Sequence, residues 1–547
     1  MLDIQTLRHL HLAKLLCVED DEDLHDAYKE LFGSFFGEII FAVDGKDGYE
    51  KFLTNNVDMI ITDYYMPHLN GLEMVEKIRE TDKNIPIILI SAMDDKDMII
   101  SALKLRVHNF IKKPIEYDMV VEALQNSSKL LIANKALQDK IKYNSYQEEL
   151  ALAKELNILR NDFYYQMLDD KNVSLVDFLY QPLDVMSGDA YTARRIDENR
   201  TFYLLVDGMG KGLSASLSAM IMISFVNHII DKMKEFDSFS LEILIKESMD
   251  YIKPILLEEE ALAIDYIIFD SFFNKLSYAK FAMPAILVQD KNQDIIKLKS
   301  NNPPISKYLQ NYKVSEYDIN GLEKFLFYSD GMVENMTICE NQTYADFIEE
   351  DFKESFTRED LKTKFFKKIV QAEDDITFIF INRLNLLDTL VDKKTFETSL
   401  KDVDLANDWY NEVLNSVTKD TKTIYNAGLV FTELFMNAYE HGNLGLDSMT
   451  KNRLLNNDVY FETLKEMELE NDKKIDVRVD KLTYESSVYL VTQISDEGDG
   501  FDTQTLSEIF RNSKTFNGRG VFVSRKNSLG IYYNTKGNMV LYLSKII

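Results

Sequence analysis

Residues 204–217 read LLVDGMGKGLSASL. An apolar, strand-like run stops at Asp207, a glycine-rich turn follows, and small residues then open a helix. The alternation of Gly208, Gly210 and Gly212 invites comparison with a phosphate-cradling loop. That motif needs Gly, four intervening residues, then Gly-Lys and a hydroxyl residue, so that backbone N–H groups wrap the phosphates. Lys211 is followed by Gly212 rather than by Ser or Thr, and the reading fails. What stands out instead is a carboxylate at the C-terminal end of a strand, beside glycines that let the backbone come close. Such an aspartate suits a hard cation, provided further carboxylates join it from elsewhere in the chain.

Those partners are present. Tyr180-Gln-Pro182 leads to Ser187-Gly188-Asp189, the run FLFY ends in Ser329-Asp330-Gly331, and Asp374-Asp375 opens the strand ITFIFI. Any one Asp-Gly pair is ordinarily a turn. Four acidic segments at strand ends, three of them beside Gly, form a donor set for paired Mg²⁺ or Mn²⁺ ions. Such a pair activates a water and clamps both oxygens of an in-line displacement at phosphorus. No His or Cys cluster competes, which disfavours zinc.

The order and flanks of these segments resemble the metal-dependent PPM-type serine/threonine phosphatases of the SpoIIE branch, over about residues 160–383. The resemblance implies a β-sandwich flanked by helices. It also implies Asp189, Asp207, Asp330 and Asp374 as ligands of two Mn²⁺ or Mg²⁺ ions, with the Gly208 carbonyl near the metal. There are two departures. The first aspartate follows Ser187-Gly188 instead of Gly-Gly. Where the family often carries Asn-Ala-Gly-His-Pro, this chain has Lys280-Phe-Ala-Met283-Pro284.

Residues 13–125 alternate strand and helix patterns. The strand candidates are 13–18, 38–43, 58–62, 86–91 and 107–111. Alternation of this kind implies a parallel doubly wound sheet with its site at the carboxyl ends of the strands. Those ends carry Glu19 and Asp20, Asp63, Ser91, and Lys113-Pro114. Three carboxylates there call for a cation such as Mg²⁺, and a Lys and a hydroxyl beside them suit a bound phosphoryl group. The chemistry is phosphoryl transfer to a carboxylate. The set resembles the receiver domain of two-component response regulators, a flavodoxin-like parallel sheet. By that resemblance Asp63 is the phosphoacceptor and Glu19 and Asp20 hold Mg²⁺ with it. Lys113 and Ser91 contact the phosphoryl group, Phe110 is the aromatic switch residue, and a histidine kinase acts upstream.

In the last part of the chain, LVFTELFMNAYEHGN spaces Glu433, Asn437 and His441 four apart along a helix expected over 424–441. A strand then ends in Asp496-Glu-Gly498-Asp-Gly500, and Gly518-Arg-Gly520 comes later. An Asp can accept from adenine's amino group, an Asn can offer oxygen to Mg²⁺, and glycines at a helix start suit phosphates. The pattern resembles the Bergerat-fold (GHKL) ATPases, an α/β sandwich, over about residues 394–547, and among them the anti-sigma-factor serine kinases. That resemblance implies bound ATP and Mg²⁺ at Asn437, Asp496, Gly498, Gly500, Gly518 and Gly520, with Glu433 as general base. No His lies in the linker helix, and His441 belongs to the ATP-site helix, so a histidine kinase is not indicated.

The whole reads as a multidomain α/β and α+β protein. A receiver (1–128) is followed by a helical linker (129–168) with an interrupted apolar seam at Leu130, Leu137, Ile141, Leu150, Leu156 and Leu159. Then come a phosphatase domain (169–384) and a kinase-like domain (394–547). A net charge of −29 over 547 residues argues against nucleic acid and against anionic membranes as partners. Cys17 and Cys339, read as core fillers, offer no disulfide framework. No signal-peptide pattern opens the chain, and the greasiest run, 219–226, is too short to span a bilayer, so a cytoplasmic location is expected. The insert at about 447–475 reads as an exposed excursion. The resemblances together imply a STAS-domain anti-sigma-factor antagonist as substrate, a sigma factor as a further partner, and a homodimer formed through the linker. The alternative is a C-terminal domain that sequesters its partner without phosphotransfer.

Overall fold

The computed structural model describes residues 4–92, 96–163, 166–167, 173–183, 186–209, 213–339, 341–503 and 528–546. The chain divides into two compact units, Met1–Glu148 and Glu149–Ile547.

In the first unit, short runs of Ile, Leu and Val form β1 (Lys14–Val18), β2 (Glu38–Ala42), β3 (Met59–Asp63), β4 (Ile87–Ser91) and β5 (Asn109–Lys112). They pair in parallel in the order β2-β1-β3-β4-β5. Both faces are covered, which is why β3 and β4 are buried along their whole length. Asp44 and Asn70 cap the helices that follow β2 and β3, the latter with a full capping box to Glu73. Cys17 is buried, as expected of a core filler. The linker helix runs from Tyr117 to Ile158, so it starts upstream of 129.

The second unit holds two sheets. One is antiparallel, β15-β11-β10-β9-β8: β8 (Asp189–Arg195), β9 (Arg200–Gly208), β10 (Ala261–Asp270), β11 (Lys275–Phe281) and β15 (Ser315–Asp318), with β14 (Ile305–Ser306) on β10. The other has eleven strands, in the order β13-β12-β16-β17-β7-β6-β21-β22-β20-β19-β18. Its first part comprises β13 (Ile295–Leu298), β12 (Ile286–Asp290), β16 (Leu322–Tyr328), β17 (Ile376–Leu384) and β7 (Val173–Gln181). Phe178, Phe325, Phe327, Ile379 and Ile381 of this part share one core with Tyr203, Leu205, Ile264 and Tyr266 of the antiparallel sheet. This is a sandwich. Helices Leu213–Glu235 and Leu241–Ile252 add Met222, Ile223, Val226, Leu244 and Ile245 to the same core. The 213–235 helix is long and apolar enough to cross a membrane by composition, and its apolar face is spent here.

The rest of the large sheet comprises β18 (Leu390–Glu397), β19 (Lys474–Tyr484), β20 (Ser487–Asp496), β21 (Gly530–Tyr533) and β22 (Met539–Lys545). Helices Leu400–Val417 and Thr421–Asn437 cover one face of it, around Trp409, Tyr410, Phe431 and Phe435. The two-residue strand β6 (Gln166–Met167) joins the halves, antiparallel to β7 and parallel to β21. Tyr532 donates to the Asp177 carboxylate at 2.5 Å, and Phe356 packs tilted against Tyr489 with ring centroids 4.3 Å apart, across the same seam.

Two expectations are corrected. Cys339 is exposed, on a turn, and fills no core. The helix expected through 441 ends at Asn437 and widens into a π-helical turn over Ala438–Asn443, which moves His441 off its line. The 447–475 insert is mostly exposed, as expected, and is helical: it forms helices Ser448–Asn456 and Tyr460–Leu469, and Tyr460 and Lys451 both bind the buried Glu440.

Candidate functional site

β1 ends at Val18, so Glu19 and Asp20 leave from the carboxyl edge of the first sheet, where Asp63 closes β3. One donor oxygen from each of Glu19, Asp20 and Asp63 lies within 4.8 Å of the others. Lys113 donates from Nζ to Asp63 Oδ2 at 2.6 Å and to Glu19 Oε2 at 3.1 Å. Burial works against the Lys113 ammonium, but those bonds outweigh it and raise its pKa. Burial raises Glu19, against the pull of Lys113. The parallel register sets Ser91 beside Lys112, and the Lys113 N–H donates to the Ser91 carbonyl at 2.9 Å. Phe110 is half-buried on β5 against Leu89, Met98 and Ala102. Gly71 is required, because a Cβ there would collide with the Asp63 carbonyl. Sequence reading missed Tyr28, whose hydroxyl donates to Glu19 Oε2 at 3.0 Å; nothing marks it beyond its place on a helix. The pocket can hold a hard cation among three oxygens with an ammonium at Asp63.

In the sandwich, the β8–β9 register sets Asp189 opposite Asp207. The Gly208 N–H donates to the Gly188 carbonyl at 3.0 Å. The 213–235 helix backs onto this turn so closely that a Cβ on Gly208 would lie 2.7 Å from the Ala215 carbonyl. Asp330 opens a short 3₁₀ turn just after β16, and Asp374 precedes β17. A Cβ on Gly331 would come within 3.2 Å of the Asp374 Cβ, so these two segments also meet. Ser329 donates to Asp189 Oδ2 at 2.6 Å. Burial, then the charges of Asp189 and Asp330 and, more weakly, Asp374, push Asp207 up to about 10. Burial, with Asp375 and Asp330, also raises Asp189. Carboxylates crowded to this degree call for a counter-cation. An all-oxygen donor set fits Mg²⁺ or Mn²⁺. Among the described residues, three carboxylate oxygens come within 4.8 Å of one another at the Glu19 trio and not at these four aspartates. Gly210 and Gly212 lie outside the described residues.

Two departures from the family motif have structural consequences. Ala282 sits at φ 58°, a backbone setting that favours the glycine the family has there. Lys280 is fully buried and donates to Asp265 Oδ2 at 2.5 Å. Met283 is buried as well.

In the last domain, Glu433 and Asn437 are half-buried one turn apart on their helix. Asp496 ends β20, its Oδ1 accepts from the Gly498 N–H at 2.9 Å, and burial pushes it up to about 6. A Cβ on Gly442 would collide with that carboxylate, so the turn after Asn437 is pressed against the strand end. Gly500 takes φ 77°. Buried Tyr533 feels the charge of Glu433 and meets Phe501 edge-on at 5.3 Å. Glu433, Asn437, Asp496, Gly498 and Gly500 thus border one region. Gly518 and Gly520 lie outside the described residues. His441 is exposed, with Nδ1 at the Leu446 carbonyl.

Residues 15–125 match the family profile of the response regulator receiver domain. Chemotaxis protein CheY1 of Helicobacter pylori is 34% identical over 116 residues, which cover 20% of this chain and 94% of that protein. The chain belongs to the response regulator receiver family. Hybrid signal transduction histidine kinase D of Dictyostelium discoideum is 32% identical over 140 residues, 25% of this chain and 9% of the kinase. Transcriptional regulatory protein DltR of Streptococcus agalactiae is 29% identical over 140 residues, 62% of its length. The chain therefore spans less than two thirds of these two relatives. Residues 197–384 match the profile of Stage II sporulation protein E (SpoIIE). The chain is thus a receiver joined to a SpoIIE-type PPM phosphatase domain. Among solved structures, the RsbU and RsbW domains of a Mycobacterium tuberculosis protein align at 13% identity and TM-score 0.35, covering 68% of this chain and 92% of that one. The SpoIIE phosphatase domain of Bacillus subtilis aligns at 18% and 0.34, covering 39% and 64%.

The receiver keeps every position of its motif, from Glu19 to Lys113. In its pocket Lys113 is bonded to Asp63.

Proposed function

We propose that this chain is a receiver-controlled, metal-dependent protein serine phosphatase. The observation that carries it is the convergence of Asp189, Asp207, Asp330 and Asp374 from four segments onto one end of the sandwich. Two Mn²⁺ or Mg²⁺ ions held there would supply an activated water. The residues of the chain position the carboxylates that would hold the ions: Ser329 fixes Asp189, and the Gly188–Gly208 pairing fixes the turn at Asp207. Phosphorylation of Asp63 by an upstream histidine kinase, with Mg²⁺ on Glu19, Asp20 and Asp63, would set the activity. Lys113, Ser91 and Phe110 would read the phosphoryl group, and the linker helix would carry the change within a homodimer. The substrate class is a STAS-domain anti-sigma-factor antagonist carrying phosphoserine.

The C-terminal domain is read as the opposing ATP-dependent serine kinase, with Glu433 as base and Mg²⁺-ATP at Asn437, Asp496, Gly498, Gly500, Gly518 and Gly520. Supporting this are the pressing of Gly442 onto Asp496 and the placing of Glu433 beside Tyr533. The second reading is sequestration of a sigma factor or the antagonist without phosphotransfer. Glu433→Ala separates them: it removes phosphotransfer and leaves sequestration. Either way, Asp496 accepts most strongly from adenine when it is ionised. With its pKa at about 6, affinity for a fluorescent ATP analogue is expected to fall as pH drops through 6 and to level off above 7.

The deciding experiment is p-nitrophenyl phosphate hydrolysis with Mn²⁺, with and without beryllofluoride to mimic phospho-Asp63. A rate that needs Mn²⁺ and changes with beryllofluoride is expected. The same rate in both states would remove the control by the receiver, and no hydrolysis of either this ester or the phosphorylated antagonist would remove the phosphatase.

A further inference from the structure

Asp375 is the unassigned half of the Asp374-Asp375 pair. Its two carboxylate oxygens are both engaged by backbone donors: Oδ1 accepts from the Leu183 N–H at 2.7 Å, and Oδ2 from the Gly188 N–H at 2.6 Å. Carboxylate hydrogen bonds of this length are charge-assisted and strong. They tie the exit of β7 to the entry of β8, from a residue that itself stands just before β17.

The consequences run through all four metal-facing segments. Gly188 is the residue before Asp189, so the bond to its N–H fixes where β8 begins. The Gly188 carbonyl accepts from the Gly208 N–H at 3.0 Å, which passes the constraint to the residue after Asp207. The carbonyl of Asp375 is the surface on which Gly331 packs, with no room for a Cβ, so the residue after Asp330 is held there too. Asp374 is its chain neighbour, and the Asp375 N–H donates to Asp374 Oδ1 at 2.9 Å. One side chain and its own peptide groups therefore touch the backbone next to Asp189, the backbone next to Asp330, and Asp374 directly. It reaches Asp207 through one peptide.

We infer that Asp375 is a positioning residue, which sets the spacing of the four metal-binding aspartates without itself entering the metal shell. The inference rests on the phosphatase reading above. Groups that orient metal ligands typically matter by about 10- to 100-fold in metal affinity. Asp375→Asn keeps the size and one acceptor, but it turns an N–H₂ toward a backbone N–H. Asp375→Ala removes both acceptors.

The test uses the full chain carrying Asp63→Ala, so that the receiver pocket does not mask the result. Mn²⁺ binding is followed by calorimetry, the Mn²⁺ dependence of p-nitrophenyl phosphate hydrolysis by rate, and the melting temperature by scanning. For Asp375→Asn, Mn²⁺ affinity is expected to weaken about 10- to 100-fold, with turnover recovering at saturating Mn²⁺. Asp375→Ala, if it folds, should lose at least as much. A lower melting temperature with unchanged Mn²⁺ affinity would make Asp375 merely structural and overturn the inference. A folded Asp375→Asn that binds no Mn²⁺ at millimolar concentration would make it a ligand and overturn it as well. If the parent protein itself binds no Mn²⁺ at this site, the metal reading falls and the inference goes with it.

Discussion

Asp207→Asn is expected to lower Mn²⁺-dependent p-nitrophenyl phosphate hydrolysis by roughly 10³-fold. A two-metal site supplies several kcal/mol of transition-state stabilisation, and each 1.36 kcal/mol is tenfold in rate. The same change should raise the melting temperature of the metal-free protein. Asp207 faces Asp189 across the strand pair and lies in the fields of Asp330 and Asp374. Its pKa of about 10 stands far above the ~3.9 of an unfolded chain. A carboxylate raised in this way binds its proton more tightly when folded, so near pH 7 it costs the metal-free fold stability, and a neutral amide relieves that cost. The two effects have opposite signs. Kinetics together with melting scans, each with and without Mn²⁺, check both. The parent should gain stability from Mn²⁺ and the variant should not. A variant that loses activity and metal-free stability together would mean Asp207 is a packing residue.

Much of this was legible in the sequence, for identifiable reasons. In the receiver, Glu19, Asp63 and Ser91 stand at the ends of strands that are buried almost throughout, so a polar residue closing an apolar run marks the site. The same holds for Asp207 after LLV and Asp330 after FLFY. What was not legible depends on contacts far apart in sequence. β6 has two residues and no pattern of its own, yet it joins two halves of an eleven-stranded sheet. The composition of the polar insert marked it as exposed but not as anchored, because its tie to the core is the long-range pairing of Tyr460 and Lys451 with the buried Glu440. Asp375 was visible only as a doublet with Asp374. Its role lies in backbone donors nearly two hundred positions upstream.

Lys280→Met is the other large effect expected, this time on stability. Lys280 and Asp265 face each other in the β10–β11 register, both are 0% exposed, and Asp265 Oδ1 has no hydrogen-bond partner among the described residues. Burial raises Asp265 and lowers Lys280, so each charge is tolerated only because the other is there. Deleting the ammonium leaves a buried carboxylate with no counter-charge from Lys280, at a cost of about 3–5 kcal/mol. The transition of the second unit should fall by roughly 5 °C. Replacing both, Asp265→Leu with Lys280→Met, removes the two desolvation penalties together and should restore the parent's melting temperature or exceed it. The double-mutant cycle therefore carries a large favourable coupling, although the pair as a whole adds little. The pH dependence gives an independent check. In Lys280→Met the folded pKa of Asp265 lies above its unfolded value, so the deficit is largest where the unfolded carboxylate is fully ionised. It narrows as pH falls and the buried group takes a proton. Scanning calorimetry of the full chain across pH 5–8 measures this. A single variant as stable as the parent, or a double variant as unstable as the single, would mean that the pair is not closed in the folded protein. The Lys in place of the family's Asn would then need another explanation.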